Sequence, residues 1–215
     1  MQSFFQFLNS RWDDVLTLGL QHAGYIVSVV VLATIIGVGS GILVRNRPIA
    51  REVVLGVYAV FLTIPSFGLF ALFIPIVGLG FWGPFIALTM YALLPIARNT
   101  VTGLAGVSPA VVESARGMGL SNRERLFKIQ LPLAWPVILT GIRVSALVVA
   151  GIAAIATLVA GGGLGDFIKS GLSRLGAPNS VESLVVGTIS IIILALIIDG
   201  IFIGVKRATT SPGIR

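Results

Sequence analysis

Two charged side chains stand out inside otherwise apolar stretches of this sequence, Arg143 and Asp199, and they carry opposite signs. At 1.5 Å per helical residue, Arg143 lies about 15 Å past Pro132 and Asp199 about 10 Å before Lys206. Those offsets give them similar depths, so they are expected to pair and remove the cost of burying either charge alone. Bond-making chemistry has no comparable set. The single histidine, His22, and Ser40 would sit roughly 27 Å apart along one helix, so a nucleophile and its base cannot meet. No cluster of His, Cys or carboxylates offers a metal site, and the chain has no cysteine. No G-x-x-x-x-G-K-S/T loop is present to cradle a nucleotide. Neither a catalytic residue, nor a metal, nor a cofactor is therefore expected in this chain.

The elements that must hold these charges are read from hydropathy. Of 215 residues, 56% are hydrophobic and 11% charged, against about a quarter charged in a soluble domain. Such a chain needs lipid as its solvent. About five stretches are long enough to cross roughly 30 Å of hydrocarbon: residues 23–44, 53–77 (interrupted by Pro65 and Pro75), 82–102 (with Pro95 inside), 133–160 and 183–205. The expected fold is all-α, one polytopic membrane domain over 1–215. Residues 1–22 form an N-terminal segment at the outer interface, and a long loop spans 103–132. No removable signal peptide is read at the N-terminus.

The loops orient the spans. Arg45, Arg47 and Arg51 follow the first, and Arg116, Arg123, Arg125 and Lys128 follow the third. Lys206, Arg207 and Arg215 follow the fifth, whereas the second loop is uncharged and the fourth balances Lys169 and Arg174 against Asp166 and Glu182. Basic loops stay in the cytoplasm, so the N-terminus is expected outside and the C-terminus inside. The net charge of +7 is this loop bias and not a nucleic-acid footprint. Trp82 and Trp135 should mark opposite faces. Small residues (Gly37, Gly39, Ser40 and Gly41; Ala150, Gly151, Ala153 and Ala154) suit close helix packing, within the chain or against a second subunit.

The loop over 103–132 is built with care. Ser108-Pro109 opens a helix, with Ser as N-cap and Pro at the first helical position, and Gly119 closes it. Ser121-Asn122-Arg123-Glu124 reads as a capping box opening a second helix that ends before Pro132. The two form a knob in which apolar Val112, Ala115 and Met118 beside Glu113 and Arg116 suit a cleft on another protein.

The same residues resemble the cytoplasmic loop signature of ABC importer permeases: E-A-A, three residues, Gly, nine residues, Ile, one residue, Leu-Pro. Here it stands as Glu113, Ser114, Ala115, Gly119, Ile129, Leu131 and Pro132, with Ser114 replacing alanine as the one departure. From about His22 to Asp199, segments such as IPSFGLFALFIP and YALLPIARNTVTGL look like permeases for glycine betaine, carnitine, choline and related compatible solutes. The resemblance implies a type I importer fold in a bacterial cytoplasmic membrane. It implies that those seven residues couple the chain to a separate dimeric ATPase, which binds ATP and Mg. It also implies a second permease subunit, the same or related, and an external solute-binding protein.

Pro65 and Ser66 free backbone carbonyls in the second span, and Tyr91, Pro95, Asn99 and Thr100 offer polar or broken surface in the third; all six are candidates for lining the translocation route. Gly161, Gly162, Gly163 and Gly165 mark a flexible outer loop. Two alternatives remain open: a permease for another small solute such as an amino acid, and an ion-coupled secondary transporter with Asp199 as its only carboxylate within a span.

Overall fold

The computed structural model describes residues 2–210, with side chains from Phe4 onward; Arg215 lies outside the described residues. Among the described residues there are only helices and their connections: α1 (Gln2–Ser10), α2 (Trp12–Val44), α3 (Pro48–Thr63), α4 (Ser66–Val77), α5 (Trp82–Ala105), α6 (Pro109–Gly117), α7 (Asn122–Glu124), α8 (Leu131–Ala153), α9 (Gly165–Ser173) and α10 (Ser180–Thr209). A π-helix, Arg125–Gln130, joins α7 to α8, and a tight 3-10 segment, Ala154–Val159, prolongs α8. Four helical stretches are long and apolar enough to cross a membrane: Trp12–Val44, Trp82–Ala105, Asn122–Val159 and Ser180–Thr209. The pair α3 and α4 counts as a fifth if taken as one broken span.

The first span begins earlier than hydropathy indicates, at Trp12 instead of residue 23. Hydropathy finds the part that lipid covers, whereas the backbone ladder continues wherever no residue breaks it. Asp13 and Asp14 sit in the first turn of α2, where the helix dipole favours negative charge. The second span is not one rod. α3 and α4 meet at 99° around Ile64-Pro65, because Pro65 donates no hydrogen bond and holds the preceding residue extended (Ile64 φ −74°, ψ 130°). The Tyr91 hydroxyl donates to the Ile64 carbonyl at 2.6 Å and satisfies the acceptor that the break exposes.

Helix α5 is the centre of the bundle, flanked by α2 and α8, with α3 and α4 also against it. In lipid such contacts depend on close approach and interhelical hydrogen bonds, the latter contributing about 0.6 kcal/mol each on average. The His22 Nε2–H donates to the Ala150 carbonyl (3.0 Å), and the Ser145 hydroxyl to the Ala92 carbonyl (2.8 Å). Gly37 and Gly41 abut Ile96 and Thr100 of α5, and Ala150 and Ala153 are buried in α8. Gly39 and Gly151, by contrast, face open space.

At Gly141 a Cβ would stand 2.6 Å from the Pro95 carbonyl oxygen and 2.7 Å from Asn99 Cβ. Gly141→Val is therefore expected to cost about 1–3 kcal/mol through overpacking. The midpoint of thermal unfolding of the detergent-purified protein should fall by several degrees, while Gly39→Val leaves it in place. Equal midpoints for the two variants would show that the α5–α8 crossing is not tight.

The glycine-rich loop before α9 is packed, not flexible. A Cβ on Gly165 would meet the Ala154 carbonyl oxygen at 2.0 Å, and one on Gly163 would meet His22 Nδ1 at 2.9 Å. Glycine is used there to seat the loop on α2 and on the 3-10 segment. At the rim, α10 is buried only at Ser180, Ser183, Val186 and Gly187. It presents Ile192, Ile193, Leu196, Ile197 and Ile201 outward, as a lipid-facing helix does.

Candidate docking knob and intramembrane charge sites

Between α5 and α8 the chain builds a self-contained knob. Pro109 starts α6 after Ser108, and the helix ends in a paired carbonyl cap. The Gly119 N–H donates to the Arg116 carbonyl (3.0 Å) and the Leu120 N–H to the Ala115 carbonyl (3.2 Å), with Gly119 at φ +84°. That left-handed turn is one glycine adopts without strain. The capping box then forms as the residues indicate: the Glu124 N–H donates to Ser121 Oγ (3.3 Å) and the Ser121 N–H to Glu124 Oε2 (3.0 Å). Lys128 Nζ adds a bond to Glu124 Oε1 at 2.9 Å.

Two expectations for this knob are corrected. The second loop helix does not end before Pro132 but runs on into α8. The π-helical register is the reason. The Leu131 N–H reaches back to the Leu126 carbonyl, five residues away, so the ladder widens where Pro132 would otherwise leave an α-type bond unmade. Second, the apolar residues divide. Ala115 is 1% exposed and Leu126 6% exposed, and Val112 packs half-buried against the core, so these attach the knob to the chain. The residues presented outward are Glu113, Ser114, Arg116 and Gly119, with apolar Met118 (71% exposed), Phe127 and Val111. Arg123 lies over the Phe127 ring, 6.0 Å from its centroid. Of the remaining signature residues, Ile129 and Leu131 are half-buried and Pro132 is exposed where α8 begins.

Arg143 and Asp199 meet across α8 and α10. Nε donates to Oδ1 at 2.6 Å and an Nη to Oδ2 at 2.7 Å, the two-pronged arrangement a guanidinium makes with a carboxylate. Trp135 Nε1 donates to Thr209 Oγ1 (2.8 Å), a second tie between the same helices.

The six residues singled out for a route differ in how far they are covered within the chain. Thr100 is fully buried against Gly41, with its hydroxyl on the Ile96 carbonyl. Tyr91 is 2% exposed and engaged by Ile64. Both are taken up by packing, because close helix crossings leave no gap beside them. Asn99 donates to the Pro95 carbonyl (2.8 Å) and both are half-buried, as is Ser66, while Pro65 is exposed at the break.

One residue escaped the sequence reading: Arg98, inside the third span. It is exposed, and among the described residues its side chain makes no hydrogen bond or ion pair. A charge inside the 82–102 stretch was signal enough, since arginine is rare within membrane-spanning segments.

At the opposite end from the knob, Arg11, Asp166, Arg174, Asn179 and Ser180 line a polar cavity of about 230 Å³. Burial pushes the Asp166 carboxyl above its ordinary range, partly opposed by the nearby Lys169 ammonium.

A bundle of membrane-length helices, holding paired charges inside and a separately capped knob between its central helices, defines a multi-pass membrane transport component. Residues 30–209 match the profile of the family described as binding-protein-dependent transport system inner membrane component, and the chain belongs to that family. It is a permease component of an ABC importer. The chain is 34% identical over 215 residues to the choline transport system permease protein OpuBB of Bacillus subtilis, covering 100% of this chain and 97% of that one. It is 38% identical over 199 residues to the carnitine transport permease protein OpuCB of Listeria monocytogenes (93% and 89% covered). It is 36% identical over 204 residues to the osmoprotectant import permease protein OsmW of Salmonella typhimurium, covering 93% of each. Among solved structures, an inward-facing conformation of the MetNI methionine ABC transporter superposes with a TM-score of 0.79 at 23% identity, covering 92% of this chain and 96% of that one. At that identity the likeness concerns the fold.

Proposed function

We propose that this chain is the permease subunit of an importer for small osmoprotectants of the glycine betaine, carnitine and choline kind, driven by a separate ATPase that binds ATP and Mg. The knob faces the cytoplasm and docks into that ATPase through Glu113, Ser114, Gly119 and Met118, while Ala115 and Val112 transmit its movement to the bundle. Arg143–Asp199 holds α8 to α10 as the bundle rocks between its two openings. A second permease subunit completes the pathway, and a solute-binding protein delivers cargo to the outer end near Arg11 and Arg174.

The observation that carries this reading is the division of the knob, with its anchoring residues buried and its charged and apolar remainder exposed. Such an arrangement fits a lever held firmly at one end and gripped by a partner at the other. The solute class follows the relatives named for choline, carnitine and osmoprotectants. Purification of the tagged chain from its own cells should bring an ATPase with it. Uptake of radiolabelled glycine betaine, carnitine or choline in a strain lacking its own systems should require hydrolysable ATP. Uptake driven by a proton or sodium gradient without ATP would overturn the reading in favour of a secondary transporter.

A further inference from the structure

Helix α4 is held differently from the other apolar helices. Its 12 residues rise only about 18 Å against roughly 30 Å of hydrocarbon, and it turns 99° away from α3. Leu69 and Phe70 are its buried residues, a single turn seated against α5 and the 3-10 segment. Both ends are non-helical joints: Ile64-Pro65 before it, and after it Gly78 (φ +77°) to Gly80 (φ +116°). Element-terminal joints of this kind absorb the backbone change of a hinge. At each joint a buried tyrosine reaches in from another helix. Tyr91 of α5 donates its hydroxyl to the Ile64 carbonyl at 2.6 Å. Tyr25 of α2 donates to the Phe81 carbonyl, with its ring packed on those of Phe81 and Phe85.

We propose that α4 swings as a unit during the transport cycle and that Tyr25 and Tyr91 are its positioning residues, each hydroxyl a latch that sets the helix in its present place. The inference goes beyond the solute reading and holds for any cargo. The break leaves the Ile64 carbonyl an acceptor that lipid cannot satisfy, and Tyr91 supplies the donor. The Phe81 carbonyl already accepts the Phe85 N–H (3.1 Å), so the Tyr25 bond there is an added tie from the joint to α2. A side-chain hydroxyl can leave and return at small cost, because interhelical hydrogen bonds in membranes are weak. With one buried turn and two such bonds, α4 belongs to the low-stability end of the fold, from which moving elements are drawn. Helix α5 carries Tyr91 and part of the seat of α4, and it leads straight into the knob. A pull on the knob therefore reaches a latch along one helix.

The test uses the assembled importer in lipid, with its own ATPase and binding protein, and the variants Tyr25→Phe, Tyr91→Phe and both together. These keep the rings and remove only the hydroxyls. Amide hydrogen exchange in segments 64–69 and 78–81 reads the released population, and ATP hydrolysis without binding protein reads its consequence. Bonds of average strength for membrane helices give an expected rise in exchange of about threefold for each single variant and about eightfold for the double. Exchange in α8 and α10 should stay at the wild-type rate. Hydrolysis without binding protein should rise in the same order, a gain that a loosened fold would not give. Unchanged exchange in the double variant overturns the latches, and so does an equal rise across α8 and α10, which marks general loosening. Faster exchange at the joints with unchanged hydrolysis overturns the part of α4 in the cycle. A wild-type complex that hydrolyses no ATP fails the ATP-driven reading instead, while the exchange measurement still decides the latches.

Discussion

Asp199→Arg is expected to lower the amount of this protein in the membrane by at least about tenfold and to abolish uptake, with Arg143→Asp in the same chain restoring both to within about threefold. Removing one partner leaves the other charge uncompensated between two membrane-length helices. Reversal adds repulsion between two cations where a carboxylate now accepts at 2.6 and 2.7 Å. The side chains are 39% and 23% exposed in the isolated chain, which tempers the cost. α10 is the helix with most to lose, since only its first turns are buried and the pair lies far down its length. The measurement is an immunoblot of isolated membranes beside solute uptake, for both single variants and the double. If the double variant is no better than either single one, the two residues do not act as a clamp.

The second large effect belongs to the knob, and its signature is the opposite: full membrane levels with no transport. Glu113 is exposed on α6 and Met118, the residue that caps its C-terminal end, is 71% exposed, so neither contributes appreciably to the fold of the chain itself. A substitution at either is felt only by what docks there. At an interface a central apolar anchor is worth about 2 kcal/mol or more, which is about thirtyfold in affinity. Met118→Asp combined with Glu113→Arg should therefore release the ATPase and lower ATP-driven uptake by about thirtyfold or more. Ala115→Trp makes the contrast. Ala115 is 1% exposed, so a large ring there dislodges the knob from its seat and lowers stability as well as uptake. Wild-type uptake by the Met118 and Glu113 double variant, in vesicles supplied with ATP, would show that the knob is not where work enters the bundle.

These expectations depend on details that differ in how far the sequence discloses them. The capping box at Ser121–Glu124 and the turn at Gly119 are local: their hydrogen bonds span three to five residues, so residue types in order suffice to read them. The π-helical passage through Pro132 is also local in extent, but it depends on α8 being anchored by its partners, and a proline in isolation reads as a stop. The pairing of Arg143 with Asp199 came within reach because two charges of opposite sign at matched depth in lipid have little alternative. Arg98, with no matching carboxylate, lacked that cue, and its placement on an open face depends on where α2, α3 and α8 cover the rest of α5. Thr100 shows the converse. Its hydroxyl suggested a polar lining, yet a glycine on another helix lies against it and closes the space.

Apolar run length, charge placement and capping chemistry act along the chain, so the solvent, the approximate count and place of the spans, the caps of the knob and the family can all be read from residue order. Which side of each helix is covered emerges only when the helices pack. Tertiary contacts turned the second span at Ile64-Pro65, placed Ala115 inward and Met118 outward, packed the glycine loop on His22 and left Arg98 open. Those outcomes follow from contacts between residues far apart in sequence, where close approach in lipid is set by the fit of two surfaces and not by the composition of either one.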